Sequence, residues 1–178
     1  MRKILAFGAS NSKASINQQF AQWAANQVED AETLFLHLND FEMPIYSIDR
    51  EKESGFPQLA QDFVALINEA DGIVISFAEY NGSFTSAFKN IYDWISRIEK
   101  PIWKNKPMMI LATSPGARGG TRILSHVESL FPRTGATLAG VFSLPSFAAN
   151  FDEGITDDTL RLEFQKQLQI FEEALSQA

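Results

Sequence analysis

Two stretches of this chain, Gly72–Phe77 and Pro107–Thr113, are apolar almost throughout, carry no charge and end in polar, glycine-containing turns. A run of six or seven such residues is the length of a strand, and its lack of alternation marks a strand buried on both faces. Strands of that kind belong to parallel sheets covered by helices on either side. Three further runs, Lys3–Gly8, Glu32–Leu38 and Thr137–Leu144, complete a set of five. Between and after them lie helical patterns at Ser15–Gln27, Pro57–Ala70, Phe84–Glu99, Thr121–Phe131 and Asp157–Gln177. Their apolar residues recur in steps of three and four, as in Phe84, Phe88, Ile91, Ile95 and Ile98. Five strand–helix units joined by right-handed crossovers predict a doubly wound α/β sandwich, flavodoxin-like, with strand order 2-1-3-4-5.

Local signals sharpen the boundaries. Ser15 followed by Gln18 has the spacing of a capping box. Thr156 before Asp157 and Asp158 suits a helix cap and an anionic first turn. Pro57 suits a first helical position. The stretch from Asn39 to Phe56 carries no clear pattern and is expected to be irregular. It offers no domain boundary, because neither half alone would own a complete sheet, so residues 1–178 are expected to form one domain.

In this strand order the switch point lies between the first and third strands, and ligands bind in the crevice at their carboxyl ends. The loops at those ends are the informative ones. Gly8 to Asn17 carries Ser10, Asn11, Ser12, Lys13, Ser15 and Asn17 and runs into a helix start. Hydroxyls, free backbone N–H groups and the helix dipole suit a phosphate there, and Gly8 permits the turn. Glu79-Tyr80-Asn81-Gly82-Ser83 follows the third strand, and Ser114-Pro115-Gly116-Ala117-Arg118-Gly119-Gly120 follows the fourth. Three polar loops on one sheet edge suit a flat, phosphate-bearing ligand, which we read as FMN. Backbone amides at Asn81 and Gly82 suit the polar edge of a flavin ring, and Tyr80 supplies a wall or lies near that edge. Glycines of the third loop allow close approach, and Arg118 suits either a reduced flavin or a phosphate.

Other classes are disfavoured. The spacing matches neither G-x-x-x-x-G-K-[ST] nor G-x-G-x-x-G. Gly8-Ala9-Ser10-Asn11-Ser12 lacks the second glycine of a hydrolase elbow. A formal net charge of −7 argues against nucleic acid, and no cysteine is present for disulfides or thiolate metal sites. His37 and His126 lack the spacing of a metal pair, and no metal site is expected. No apolar run reaches the roughly 20 residues of a membrane span. The start, Met1-Arg2-Lys3-Ile4, lacks a signal-peptide core, so a cytoplasmic protein is expected.

Taken together, these motifs resemble those of the NADPH-dependent FMN reductase family, which includes quinone, azo and chromate reductases. The family's first motif, approximately G-S-x-R-x-x-S-x-N, aligns with Ala9 to Asn17. Its second, P-E-Y-N-x-S-x-P-G-x-L-K-N-x-x-D-W, aligns with Ala78 to Trp94, and its third, S-x-G-x-x-G-G, with Ser114 to Gly120. The resemblance implies that Ser10, Ser12, Ser15, Ile16 and Asn17 hold the FMN phosphate. It implies that Glu79, Tyr80, Asn81 and Gly82 hold the ring and its side chain, with Ser114, Gly116, Arg118 and Gly119 along the ring's other contacts. Ser12 stands where the family has arginine, Ala78 where it has proline, and Thr85-Ser86 where it has Pro-Gly. The implied activity is hydride transfer from NADPH or NADH to bound FMN, then electron transfer to a quinone, an azo compound, free flavin or a similar small acceptor. No residue is assigned as an obligate acid or base, since the chemistry belongs to the flavin. A homodimer or homotetramer is implied as well, with Tyr92, Trp94 and Trp103 serving either the core or an interface. The alternative is a flavodoxin-like electron carrier that does not react with NAD(P)H.

Overall fold

A computed structural model describes residues 1–178. Five strands, β1 (Arg2–Ala9), β2 (Ala31–Phe35), β3 (Gly72–Phe77), β4 (Pro107–Thr113) and β5 (Thr137–Leu144), form one all-parallel sheet in the order β2-β1-β3-β4-β5. Seven helices accompany it: α1 (Ile16–Ala25), α2 (Ile48–Ser54), α3 (Gln58–Glu69), α4 (Ser86–Ile98), α5 (Thr121–Leu130), α6 (Phe147–Asn150) and α7 (Asp158–Gln177). The flavodoxin-like architecture and strand order are those expected from the sequence.

The pleat divides each central strand between two cores. Leu5, Phe7, Ile73, Ile75, Met108 and Ile110 face one layer with α3, α4 and α5. Ile4, Ala6, Val74, Met109 and Leu111 face the other, with α1 and α7. Trp94, Trp103 and Tyr92 are all buried within the chain, which settles them as core residues. The ring of Tyr92 stacks on Phe131 at 5.6 Å.

Several boundaries differ from expectation for identifiable reasons. β2 ends at Phe35 rather than Leu38, because its last bond to β1 is Leu36 N–H to Ala6 O. Leu38 instead opens a 3-10 turn, Leu38–Phe41, that packs Leu38 and Phe41 against Phe63 and its neighbours. Helix α1 stops at Ala25 rather than Gln27. Pro57 flanks α3 with extended backbone instead of opening it. Thr85 caps α4, donating its hydroxyl to Ala9 O at 3.0 Å while accepting Phe88 N–H. Asp157, not Thr156, caps α7 by accepting Leu160 N–H at 2.8 Å. The stretch expected to be irregular holds α2, capped by Ser47. That helix buries no residue, so it leaves no apolar stripe for the sequence to show.

The fold positions the site through the β1–α1 junction. Gly8 lies in the strand, and a Cβ there would stand 2.4 Å from Gln18 N and 2.6 Å from Gln18 Cα. It is required for close helix–strand approach, not for a turn. Ser15 caps α1 by accepting Gln18 N–H at 3.1 Å. The Gln18 side chain does not complete the expected capping box. It accepts Gly8 N–H at 2.7 Å and donates to Leu36 O at 3.2 Å, tying α1 to β1 and to the segment after β2.

Candidate functional site

The three loops singled out from the sequence meet at the carboxyl edge of β1, β3 and β4. A cleft of about 290 Å³ is lined by Ser10, Ser12, Ser15, Ile16 and Asn17 from the first loop. Glu79 and Tyr80 line it from the second, and Ser114 from the third. A second cleft of about 350 Å³ shares Glu79 and Ser114 with the first and adds Gly116 and Arg118. Both are of the size of small-molecule sites, roughly 300–1,000 Å³. A larger cavity of about 780 Å³ lies at the opposite edge, beside Met1, Asp71 and Lys106. No helix start faces it from the strand ends where α/β sheets bind ligands. The cations that line it are already engaged: Lys106 donates to the carbonyls of Asn68 and Ala70, Lys104 pairs with Glu99, and Arg2 donates to Ser176. Burial holds the Lys106 ammonium's pKa below the ordinary lysine value.

In the first loop, the backbone N–H groups of Ile16 and Asn17 have no intramolecular partner and open the N-terminus of α1. Ser10 is buried, and its Oγ accepts Ser12 N–H at 3.2 Å. Ser12 and Lys13 are exposed. Free N–H groups, a helix dipole and hydroxyls fit a phosphate, although no cation is fixed against them. Asn17 lines the cleft, but its side chain is engaged elsewhere. Its Oδ1 accepts from Ser76 Oγ at 2.7 Å and Thr113 N at 3.0 Å, and its Nδ2 donates to Thr113 O at 3.1 Å.

The second loop is a tight turn. Tyr80 and Ser83 exchange backbone hydrogen bonds of 3.0 and 3.1 Å, with Asn81 at φ 54° and Gly82 at φ 75°. Two successive left-handed residues spelled Asn-Gly are the signature of a type I′ turn. Both central N–H groups are left free, as a polar ring edge requires. Tyr80 is 51% exposed, so its ring is not a core residue. Glu79 reaches across to α5, where its Oε2 accepts Ile123 N–H at 3.3 Å. That helix has Gly120 as its cap and hence no capping side chain of its own. Sequence spacing gave no hint of this contact, since 44 positions separate the two residues.

The third loop is held from below by the segment after β5. Gly116 O accepts Ser146 N–H and Ser114 O accepts Phe147 N–H, both at 3.0 Å. Gly119 has φ 55° and is buried, and a Cβ there would lie 2.3 Å from Ser143 Oγ. Gly116 differs: its φ is ordinary, it is exposed, and a Cβ would meet only Ser114 Oγ at 4.0 Å. The fold therefore demands glycine at 119 but leaves 116 open toward the cleft. Arg118 is exposed beside it, and its guanidinium makes no hydrogen bond or ion pair. The site thus joins a phosphate-sized nest of N–H donors to a polar turn and a glycine-walled rim carrying one free guanidinium.

The family model described as NADPH-dependent FMN reductase matches residues 2–150. A quinone reductase of Escherichia coli (strain K12) is 36% identical over 89 residues, which cover 50% of this chain and 47% of that protein. The chain therefore spans about half the length of that curated relative. A 2-hydroxy-1,4-benzoquinone reductase of Burkholderia sp is 34% identical over 129 residues, 72% of this chain and 69% of the other. Among solved structures, the flavoenzyme NAD(P)H:(acceptor) oxidoreductase FerB of Paracoccus denitrificans superposes with a TM-score of 0.79 at 22% identity. That superposition covers 99% of this chain and 98% of FerB, and at that identity it speaks for the fold alone.

Proposed function

Because the chain belongs to the NADPH-dependent FMN reductase family, we propose that it oxidises NADPH or NADH with FMN as cofactor and passes the electrons to a small acceptor. A quinone, an azo compound or free flavin fits that role. The observation that carries the reading is the unpartnered N–H pair of Ile16 and Asn17, which lines the same cleft as Glu79, Tyr80 and Ser114. A phosphate at the helix start leaves the rest of the cofactor to lie along the second and third loops. Bound FMN supplies the hydride acceptor and the onward electron donor.

The protein's part is position and electrostatics. Ser10, Ser12, Ser15, Ile16 and Asn17 receive the phosphate, with Asn17 contributing its backbone while its amide braces β3 and β4. Asn81 and Gly82 present N–H donors to the polar ring edge, and Tyr80 walls it. Ser114 and Gly116 form the rim, Gly119 lies buried behind it against Ser143 and Leu144 and sets the backbone of that loop, and Arg118 places a positive charge where negative charge accumulates on reduction. Residues 1–178 act as one flavin-binding domain in the cytoplasm, as a homodimer or homotetramer.

The test is anaerobic stopped-flow absorbance of the FMN-loaded protein mixed with NADPH or NADH. Loss of the oxidised-flavin band on the timescale of turnover supports the reductase. Tight FMN with no bleaching by either donor would make the protein an electron carrier instead. Failure to retain FMN would remove the enzyme reading altogether.

A further inference from the structure

We infer that Glu79 tunes the bound flavin: its carboxylate, pinned to the N-terminus of α5, lowers the flavin's reduction potential and ties the second loop to the third. The inference rests on the proposed function, in which FMN lies in these clefts. Glu79 and Ser114 are the residues that line both clefts, and Glu79 and Arg118 are the only charged residues lining either. Glu79 is half-buried and Arg118 exposed. Water therefore screens the guanidinium more than the carboxylate, and the acid dominates the field at the ring. A fixed negative charge opposes the arrival of electrons on a flavin, so the reduced form becomes the less stable and the stronger donor.

The backbone around the acid explains why it sits there. Gly120, the residue before α5, has φ 77°, and a Cβ there would stand 2.9 Å from Ala112 Cβ. No residue with a capping side chain fits at that place. Glu79 supplies the missing acceptor from just beyond β3, taking Ile123 N–H at 3.3 Å on Oε2. Ile123 is fully buried, which fixes the start of α5 and the oxygen bound to it. Negative charge is favoured at a helix N-terminus, so the α5 dipole suits a carboxylate there. Glu79 pairs with no cation, so no ion pair cancels its charge at the cleft. The same bond acts as a strut. Glu79 immediately precedes the Tyr80–Ser83 turn, and α5 immediately follows the third loop. Holding one to the other fixes the N–H groups of Asn81 and Gly82 relative to Gly116 and Arg118.

The experiment separates the bond from the charge. Glu79→Gln keeps an oxygen for Ile123 N–H and removes the charge, whereas Glu79→Ala removes both. Midpoint potentials of the FMN-loaded proteins are measured anaerobically against reference dyes, and their thermal midpoints alongside. A unit charge facing the ring across a small-molecule cleft, at an effective dielectric of about 20, is worth roughly tenfold in the reduction equilibrium. The potential should therefore rise by about 30 mV for a two-electron couple in Glu79→Gln, and in Glu79→Ala alike. Glu79→Gln should melt with the native protein, and Glu79→Ala roughly 2–4 °C lower, the scale of a lost helix cap in a chain of this size. An unchanged or lowered potential in Glu79→Gln overturns the inference. Equal melting of Glu79→Gln and Glu79→Ala overturns the strut. If neither NADPH nor NADH bleaches the native flavin while Glu79→Gln raises its potential, the inference stands and the reductase reading fails. If a donor bleaches it and the potential does not move in Glu79→Gln, the reductase stands and the inference fails. A native protein that retains no FMN overturns both.

Discussion

Asn17 and Thr113, 96 positions apart, form a reciprocal amide pair: Asn17 Nδ2 donates to Thr113 O at 3.1 Å, and Asn17 Oδ1 accepts Thr113 N–H at 3.0 Å. The same Oδ1 accepts the buried Ser76 hydroxyl at 2.7 Å. One side chain thus fastens the start of α1 to the ends of β3 and β4, the three elements whose loops make the cleft. Asn17→Ala would leave three buried polar groups without partners. At about 1–3 kcal/mol for each unsatisfied group, partly relieved by local repacking, a loss of more than about 2 kcal/mol is expected in urea unfolding. FMN affinity should fall with it, because the free N–H groups of Ile16 and Asn17 lose their fixed aim. An unchanged unfolding midpoint would contradict the bracing role.

The glycines at 116 and 119 should separate folding from binding. Gly119→Ala forces a left-handed alanine and a Cβ against Ser143 and Leu144, whose carbonyl carbon would be 3.0 Å away. Backbone strain of about 1–2 kcal/mol and overpacking of about 1–3 kcal/mol predict a marked drop in thermal stability. Gly116→Ala meets nothing, so stability should stay within about 0.5 kcal/mol. FMN affinity should nevertheless weaken, because the added methyl faces the cleft. If Gly116→Ala changes stability as much as Gly119→Ala, the fold rather than the ligand requires that residue.

The sequence was most legible where burial imposed a pattern. β3 and β4 lie where their uncharged runs placed them, because every residue in both is buried. The same holds for the loops that follow them, since a buried strand must end in a polar turn before its helix. What escaped was structure without a buried stripe, such as α2, and contacts between distant residues. Gln18 illustrates the second kind. Its spacing from Ser15 suggested a local capping pair, yet its side chain serves Gly8 and Leu36 instead. Local spacing identifies the donors and acceptors that a residue carries. Only the packing of α1 on β1 determines where they are used.

The segment Met43–Ser47 is clamped to α4 by a titratable network. Arg97 Nε donates to Glu51 Oε2 at 3.0 Å, and Tyr46 OH donates to the same oxygen at 2.9 Å. The Arg97 guanidinium holds the Glu51 carboxyl below the ordinary glutamate value, the Tyr46 hydroxyl adding to it and partial burial opposing it. A carboxylate depressed in the folded state contributes stability above its unfolded pKa and loses it as pH falls through the folded one. Thermal midpoints of the native protein and Glu51→Gln should therefore differ most near neutral pH and converge in acid, below the ordinary glutamate value. A difference that stays constant down to roughly pH 3 would exclude this linkage.

The phosphate nest makes the sharpest quantitative claim, because it lacks the cation that the family motif carries. Ser12 is exposed, and the groups around it are hydroxyls and the N–H pair at Ile16 and Asn17. Neutral donors bind a dianion by hydrogen bonding with little long-range Coulomb attraction, so the native protein's FMN affinity should depend only weakly on salt. Ser12→Arg supplies a guanidinium beside the helix start without disturbing the core. A charge-assisted contact of about 1.5–3 kcal/mol corresponds to about tenfold tighter FMN or more. That gain should shrink as ionic strength rises past the point where the screening length falls to about 10 Å. Flavin fluorescence quenching at low and high salt measures both effects. Steep salt dependence in the native protein would mean that Lys13 already supplies the charge, and Lys13→Gln should then flatten it. No tightening at low salt in Ser12→Arg would place the phosphate away from α1, and the assignment of Ser10 to Asn17 would fall with it.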